Sequence, residues 1–168
     1  MLKKLILVFL ILAPVGMFAQ DKFAYVNAEE VFSKMPEMKD VETQILAKRE
    51  QIKKTVDGIQ AEYNALIKKF QETDSKELSE AIILDRQKQV SDLESRHETY
   101  LRSSQEELEK LQMSLITPLQ DKLRKAIKDV GDENGYTYIF NSAALLYTST
   151  TSAVDAASKV KAKLGITN

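Results

Sequence analysis

From residue 37 to 117 the chain mixes charge with aliphatic residues at three- and four-residue spacing, with one glycine, Gly58, and no proline. Met38, Val41, Ile45, Ile52, Val56, Ile59, Tyr63, Leu66 and Phe70 mark one stripe, with Lys48 or Arg49 filling a seam position. Such spacing lines up side chains along one face of a helix, as in a coiled-coil seam. The phase slips near Ile52–Val56, where two four-residue steps follow each other, as in a stutter that locally unwinds a supercoil.

The stripe stops at Gln71-Glu72-Thr73-Asp74-Ser75-Lys76, six polar residues with no seam position. Asp74 with Glu77 then offers a helix-start box. A second stripe follows through Leu78, Ile82, Leu93, Tyr100, Leu108, Leu111, Leu115, Leu119, Leu123, Ile127 and Val130. Two striped helices around a polar break predict an antiparallel hairpin, each helix covering the other's seam. At ~1.5 Å per residue, a first arm of about 35 residues projects ~50 Å. The rival is one continuous helix dimerising in parallel, which the polar gap and fresh cap signal disfavour. Within the second stripe, Thr117-Pro118-Leu119-Gln120 reads as a new helix start, with Thr117 as cap and Pro118 in the first turn. This predicts a bend or break at Pro118, a hinge setting how the arm splays.

Period-two and aromatic patterns are confined to the two ends. Lys22-Phe23-Ala24-Tyr25-Val26-Asn27 suits a buried strand, and Asn27 with Glu30 forms a capping box for a helix carrying Val31, Phe32 and Met35. Pro36 interrupts that helix or begins the next. Gly131 and Gly135 end the long helix, and Tyr136-Thr137-Tyr138-Ile139-Phe140-Asn141 is the strongest strand signal in the chain. Leu145-Leu146-Tyr147-Thr148 reads as a further strand. Ser152 with Asp155 then caps a last helix with Ala156, Val160 and Leu164, closed by Gly165. The pattern predicts a mainly α chain with a small β body: residues 20–36 and 131–168 form a strand-built body, and 37–130 the helical hairpin. A body this small, without metal or disulfide, needs partners, so pairing with copies of itself through Phe23, Tyr25, Val26, Tyr138, Ile139 and Phe140 is expected.

Composition adds a compartment. Met1-Leu2-Lys3-Lys4, the apolar run Leu5–Ala13 and Pro14-Val15-Gly16-Met17-Phe18-Ala19 have the layout of a secretory signal, cut after Ala19. The alternative is an uncleaved anchor, but Leu5–Phe18 is short of the ~20 residues a spanning helix needs. There is no cysteine, so neither lipid attachment at the cut nor a disulfide is available. Removing residues 1–19 takes Lys3 and Lys4 from the 24 basic residues and none from the 25 acidic ones, leaving a net charge near −3. That argues against nucleic acid or an anionic membrane as partner.

Candidate chemistry is sparse. His97, the single histidine, has no cysteine or second histidine with which to hold a metal and reads as a polar residue on the hairpin flank. Glu106-Glu107-Glu109 and Glu77-Glu80 are spaced like solvated helix faces, and a two-helix hairpin has no pocket to oppose two carboxylates. Ser103-Ser104 and Ser149–Ser152 lack a nucleophile turn, and no glycine loop could cradle a nucleotide. No enzyme activity and no cofactor are expected. What stands out is apolar surface outside the stripes: Ile67, Ile83, Leu84, Val90, Leu101 and Met113. Any one of them can widen the seam or reach a neighbouring arm. Together they suit weak holding of unfolded apolar segments without sequence preference.

The order of these parts resembles the Skp/OmpH family of periplasmic chaperones over essentially the whole mature chain. The resemblance is carried by Phe23-Ala24-Tyr25-Val26-Asn27 with Val31-Phe32, and by Gly135–Asn141 with the Leu-Tyr pair and the Val160–Leu164 helix. It implies a homotrimer with a small strand-built body and three helical arms around a cavity. It further implies ATP-independent holding of unfolded outer-membrane β-barrel proteins in the periplasm. Better-known members are strongly basic, with arms linked to lipopolysaccharide or acidic membranes. Here the arm tip is Glu72-Thr73-Asp74-Ser75-Lys76-Glu77 and the chain is acidic, so no lipid role carries over. The competing class is a structural coiled-coil envelope protein, which leaves the surplus apolar residues unexplained.

Overall fold

The computed structural model describes residues 21–72, 78–149 and 151–166. The segment read as an export signal lies outside these residues, and so does the Asp74–Glu77 box. Strand β1 (Phe23–Val26) leads into helix α1 (Ala28–Ser33), then into two long helices, α2 (Met38–Gln71) and α3 (Glu80–Asn134). Strand β2 (Tyr138–Asn141), a 3-10 turn (Ser142–Ala144), β3 (Ala153–Asp155) and helix α4 (Ala157–Lys163) complete the chain.

The local rules explain most boundaries. Asn27 Oδ1 accepts the Glu30 N–H at 3.0 Å, capping α1 as its sequence predicts. The reciprocal contact from Glu30 is not made. Its carboxylate accepts instead from Lys34 at 2.7 Å and Lys161 at 3.1 Å, an ammonium being a stronger donor than a backbone amide. Pro36 sits in the turn between α1 and α2, consistent with its missing donor. Ser79 precedes α3 without a side-chain cap bond.

Four expectations need correction. Gly131 does not end the long helix. It lies inside α3, which stops at Gly135, where φ is 63° and the Tyr136 N–H returns to the Gly131 carbonyl. Only the second glycine takes the left-handed geometry that terminates a helix. Pro118 does not break α3, and Thr117 does not cap a new helix, since the helix runs through both. Proline fixes φ near its helical value, so with seam contacts on both sides the helix can continue past one lost hydrogen bond. Leu145–Thr148 is not a strand. Leu146 is fully exposed and Tyr147 is 82% exposed, and the third strand is Ala153–Asp155. Asp155 therefore lies at a strand end, where its Oδ1 accepts the Ala157 N–H at 2.8 Å, and Ser152 caps nothing.

The three strands form an all-parallel sheet in the order β2-β1-β3. Parallel neighbours need a long crossover, and here α1, α2 and α3 together carry the chain from β1 to β2. The pleat divides the residues expected to build the body. Ala24 and Val26 are 1% and 2% exposed and join Val31, Met35, Val130, Ala156 and Val160 in one core, with Ile139 packed against it. On the opposite face Phe23, Tyr138 and Phe140 stack with ring centroids 5.8–6.3 Å apart, and all three stay exposed. Tyr25 is half-buried on that side. The end of α3 closes the core with Leu123, Ala126 and Val130. Three lysines of α4 fasten it: Lys159 to Asn134 and Tyr136, Lys161 to Glu30 and Lys163 to Glu133.

Helices α2 and α3 pack antiparallel. Moving outward from the core, Glu37 meets Lys122, Lys48 meets Glu107, Glu62 meets Arg96, and the Phe70 carbonyl meets Arg86. Lys48 fills the seam position left open by sequence, its side chain 25% exposed against Glu107.

Candidate binding surface on the helix pair

A two-helix seam buries little. Val41, Ile59 and Ser104 are the side chains under a tenth exposed that lie on the paired stretches beyond the core, among the described residues. Ile45, Ile52, Val56, Leu108, Leu111 and Leu115 are half-buried, as one partner helix can cover only one side of each. Where the stripe of α2 slips phase at Ile52–Val56, the facing residue of α3 is the small Ser104, 3% exposed. Small residues opposite a slipped stripe leave the seam unfilled. A crevice of about 520 Å³ opens there, floored by Ile52, Val56, Leu101 and Leu108. Nearer the tip a second crevice of about 190 Å³ lies among Ile59, Tyr63, Leu93 and His97. His97 is half-buried on this flank, beside the seam.

The surplus apolar residues divide in two. Ile83, Leu84, Leu101 and Met113 are exposed by 43%, 59%, 44% and 68%, while Ile67 and Val90 are half-buried. Leu101 lines a crevice; the others stand apart from it along the pair. Two further large apolar residues are exposed, one of them against expectation. Ile82, placed in the second stripe, is 44% exposed, and Leu46, which fits no stripe, is 58% exposed. Leu46 follows Ile45 directly, and neighbouring positions on a helix point about 100° apart, which is the signal that could have found it.

Charge is distributed as pairs. The Lys48 ammonium hydrogen-bonded to Glu107 holds that carboxyl below its ordinary value, and Lys122 does the same for Glu37. Both pairs tie α2 to α3. No group of His, Cys, Asp and Glu among the described residues is arranged to hold a metal ion. No described helix is long and apolar enough to cross a membrane. The geometry offers a shallow apolar and amide-lined surface between charge pairs.

Residues 22–164 match the family model described as outer membrane protein (OmpH-like). No curated protein matches the chain. The matched stretch takes in β1, both long helices, β2, β3 and α4, and the chain therefore belongs to the OmpH-like family.

Proposed function

We propose that the protein is an ATP-independent holding chaperone of the periplasm. It keeps unfolded outer-membrane β-barrel proteins from aggregating in a cavity between helical arms. Each arm is the α2–α3 pair, and three copies join through the sheet. The observation that carries this reading is the coexistence of OmpH-like family membership with a helix pair that leaves Ile83, Leu84, Leu101 and Met113 uncovered amid charge. Weak, dispersed apolar contacts suit a client without fixed structure, which must be held and released without nucleotide.

The trimer is supported by the sheet. The Phe23, Tyr138 and Phe140 stack is a contiguous aromatic patch on an open face, and among the described residues both outer strands have free edges. Such surfaces are covered in soluble proteins, and self-association is the simplest cover for a body of this size. The α2–α3 pair would then project from that body. A structural spacer needs the helices but not the exposed aliphatic residues.

The test is dilution of a urea-unfolded barrel protein into buffer with and without this protein. Retained solubility at stoichiometric amounts is the expected result. Aggregation at the control rate would leave the spacer reading. Replacing Ile83, Leu84, Leu101 and Met113 together by Ser should weaken holding while helicity and assembly mass stay unchanged. Native mass measurement reads the oligomer directly, and a monomer at micromolar concentration would remove the cavity.

A further inference from the structure

Of the crevices on the α2–α3 pair, the one at Ile52–Val56 and the one at Ile59–Tyr63 lie in line. Their α2 linings, Arg49, Ile52 and Val56 in one and Ile59 and Tyr63 in the other, follow at three- and four-residue steps, so they share one face. On α3 the same holds for His97, Leu101, Ser104 and Leu108. From Arg49 to Tyr63 the helix rises ~21 Å, the length of about six extended residues at ~3.3 Å each. The floor is apolar. The rim carries three side-chain amides, Gln60, Gln105 and Gln112. Gln60 donates to Asn64 and Gln105 to Glu109, leaving their carbonyl oxygens open, and Gln112 has no partner among the described residues. An amide both donates and accepts, matching a peptide group whatever its side chain. At one end Arg49 is exposed and unpaired among the described residues, while its neighbours Lys48 and Lys53 are already engaged by Glu107 and Asp57. Glu109, the one carboxylate lining the larger crevice, already accepts from Gln105, so Arg49 is the cation lining it that has no ion-pair partner among the described residues.

We infer that these crevices form one peptide furrow, which takes an extended apolar segment of an unfolded protein with a carboxylate at the Arg49 end. The inference rests on the holding reading and gives it a place. Apolar side chains of the segment pack beside Leu101 and Tyr63, the amide rim meets its backbone, and Arg49 fixes its direction. The furrow recognises extended backbone with intermittent apolar side chains, so it selects no particular sequence.

Because the chain has no cysteine, a single cysteine carrying an environment-sensitive dye can be placed cleanly in the full protein. The label goes at Gln105 on the rim or, as control, at exposed Ser95, which lines neither crevice. The probe is an unstructured twelve-residue peptide alternating Leu or Val with Ser and ending in either Glu or Lys. Saturable blue shift at Gln105 and none at Ser95 is expected, with the Glu-ended peptide bound about threefold more tightly. Leu101→Gln should weaken both peptides roughly tenfold, and Arg49→Gln should erase the difference between them. Equal response at the two labels overturns the furrow. A shift that follows protein concentration without peptide overturns it in favour of contact between copies. If these fail while a whole unfolded client stays soluble, the furrow is wrong and the holding function stands. If no client is held by the wild-type protein, the functional reading itself falls.

Discussion

The terminal body and the helix pair are built from the same residue types yet hold together by different means. In the body, short elements converge from several directions. Val31, Ala156 and Val160 are 0% exposed and Val130 is 1% exposed, although all are small. Along the helix pair the larger Ile45, Ile52 and Leu108 remain half-open because one neighbour cannot surround them. Burial is therefore a property of how many elements meet, not of how apolar a residue is. The body spends its apolar residues on stability, and the pair keeps part of its own available for contact.

The largest expected effect tests the body. Val160→Asp places a charge without a partner in the tightest part of the core and should cost more than about 3 kcal/mol. Urea unfolding followed by tyrosine fluorescence should show loss of the body while much far-UV helicity from α2 and α3 survives. Simultaneous loss of both would mean that the two regions are one cooperative unit.

Pro118→Ala comes next, with the opposite sign. With α3 continuous through this position, alanine restores a backbone donor and removes a clash, and should stabilise by roughly 1–3 kcal/mol. It also asks whether the proline serves motion. In the proposed trimer the spread of distances between spin labels at Ser75 of neighbouring copies should narrow if the position flexes, and an unchanged distribution would make the proline a passive feature of a continuous helix.

At the junction, Gly135→Ala should cost about 1 kcal/mol, because φ there is 63° and open space offers alanine no compensation. Gly131→Ala is the matched control. Its Cβ would meet Ile139 Cδ1 at 3.5 Å, an ordinary contact, so the same substitution four residues earlier should be neutral or mildly stabilising. Equal losses in thermal melts would count against the helix ending where it does.

The smallest effect is acid loosening. Glu37 and Glu107 have carboxyls held below their ordinary value of 4.5 by Lys122 and Lys48. A depressed folded value means that their contribution is complete above about pH 4.5 and disappears as pH falls through the folded value. Both pairs bridge α2 and α3 and are partly exposed, so the effect should be small and weakened by salt. Hydrogen exchange near pH 3 should rise in the pair before the core strands, and the reverse order would contradict the division of labour.

Much of this was legible in the sequence where the signal is local and repeated. The stripe from Val41 to Phe70 specifies a helix, Asn27 its capped neighbour, and the aromatic run before Asn141 a strand. The signals failed where tertiary context decides. Ala153-Val154-Asp155 has little strand character of its own and pairs because β1 offers a free edge, whereas Leu145-Leu146-Tyr147 has the composition of a strand and finds no edge. Two glycines four residues apart gave one plausible stop too many, and only φ at Gly135 distinguishes them. Of the binding surface, Leu101 was visible as surplus hydrophobicity. The crevice beneath it was not, because it depends on Ser104 of one helix facing the phase slip of the other, a coincidence of register between segments about fifty residues apart in sequence.

The placement of β1 between β2 and β3 sets an order of events during synthesis. As the chain emerges from its N-terminus, the central strand is made first and waits for both neighbours. Thr137 donates to Asp21 from 116 positions away. Closing so large a loop from an open chain is slow and entropically costly. Antiparallel pairing of α2 with α3 removes most of that cost, since zipping the two helices returns Lys122 to Glu37 and delivers the last quarter of the chain to the waiting strand. The same helices that would hold unfolded clients in the finished protein thus act on their own chain first, drawing its two ends together.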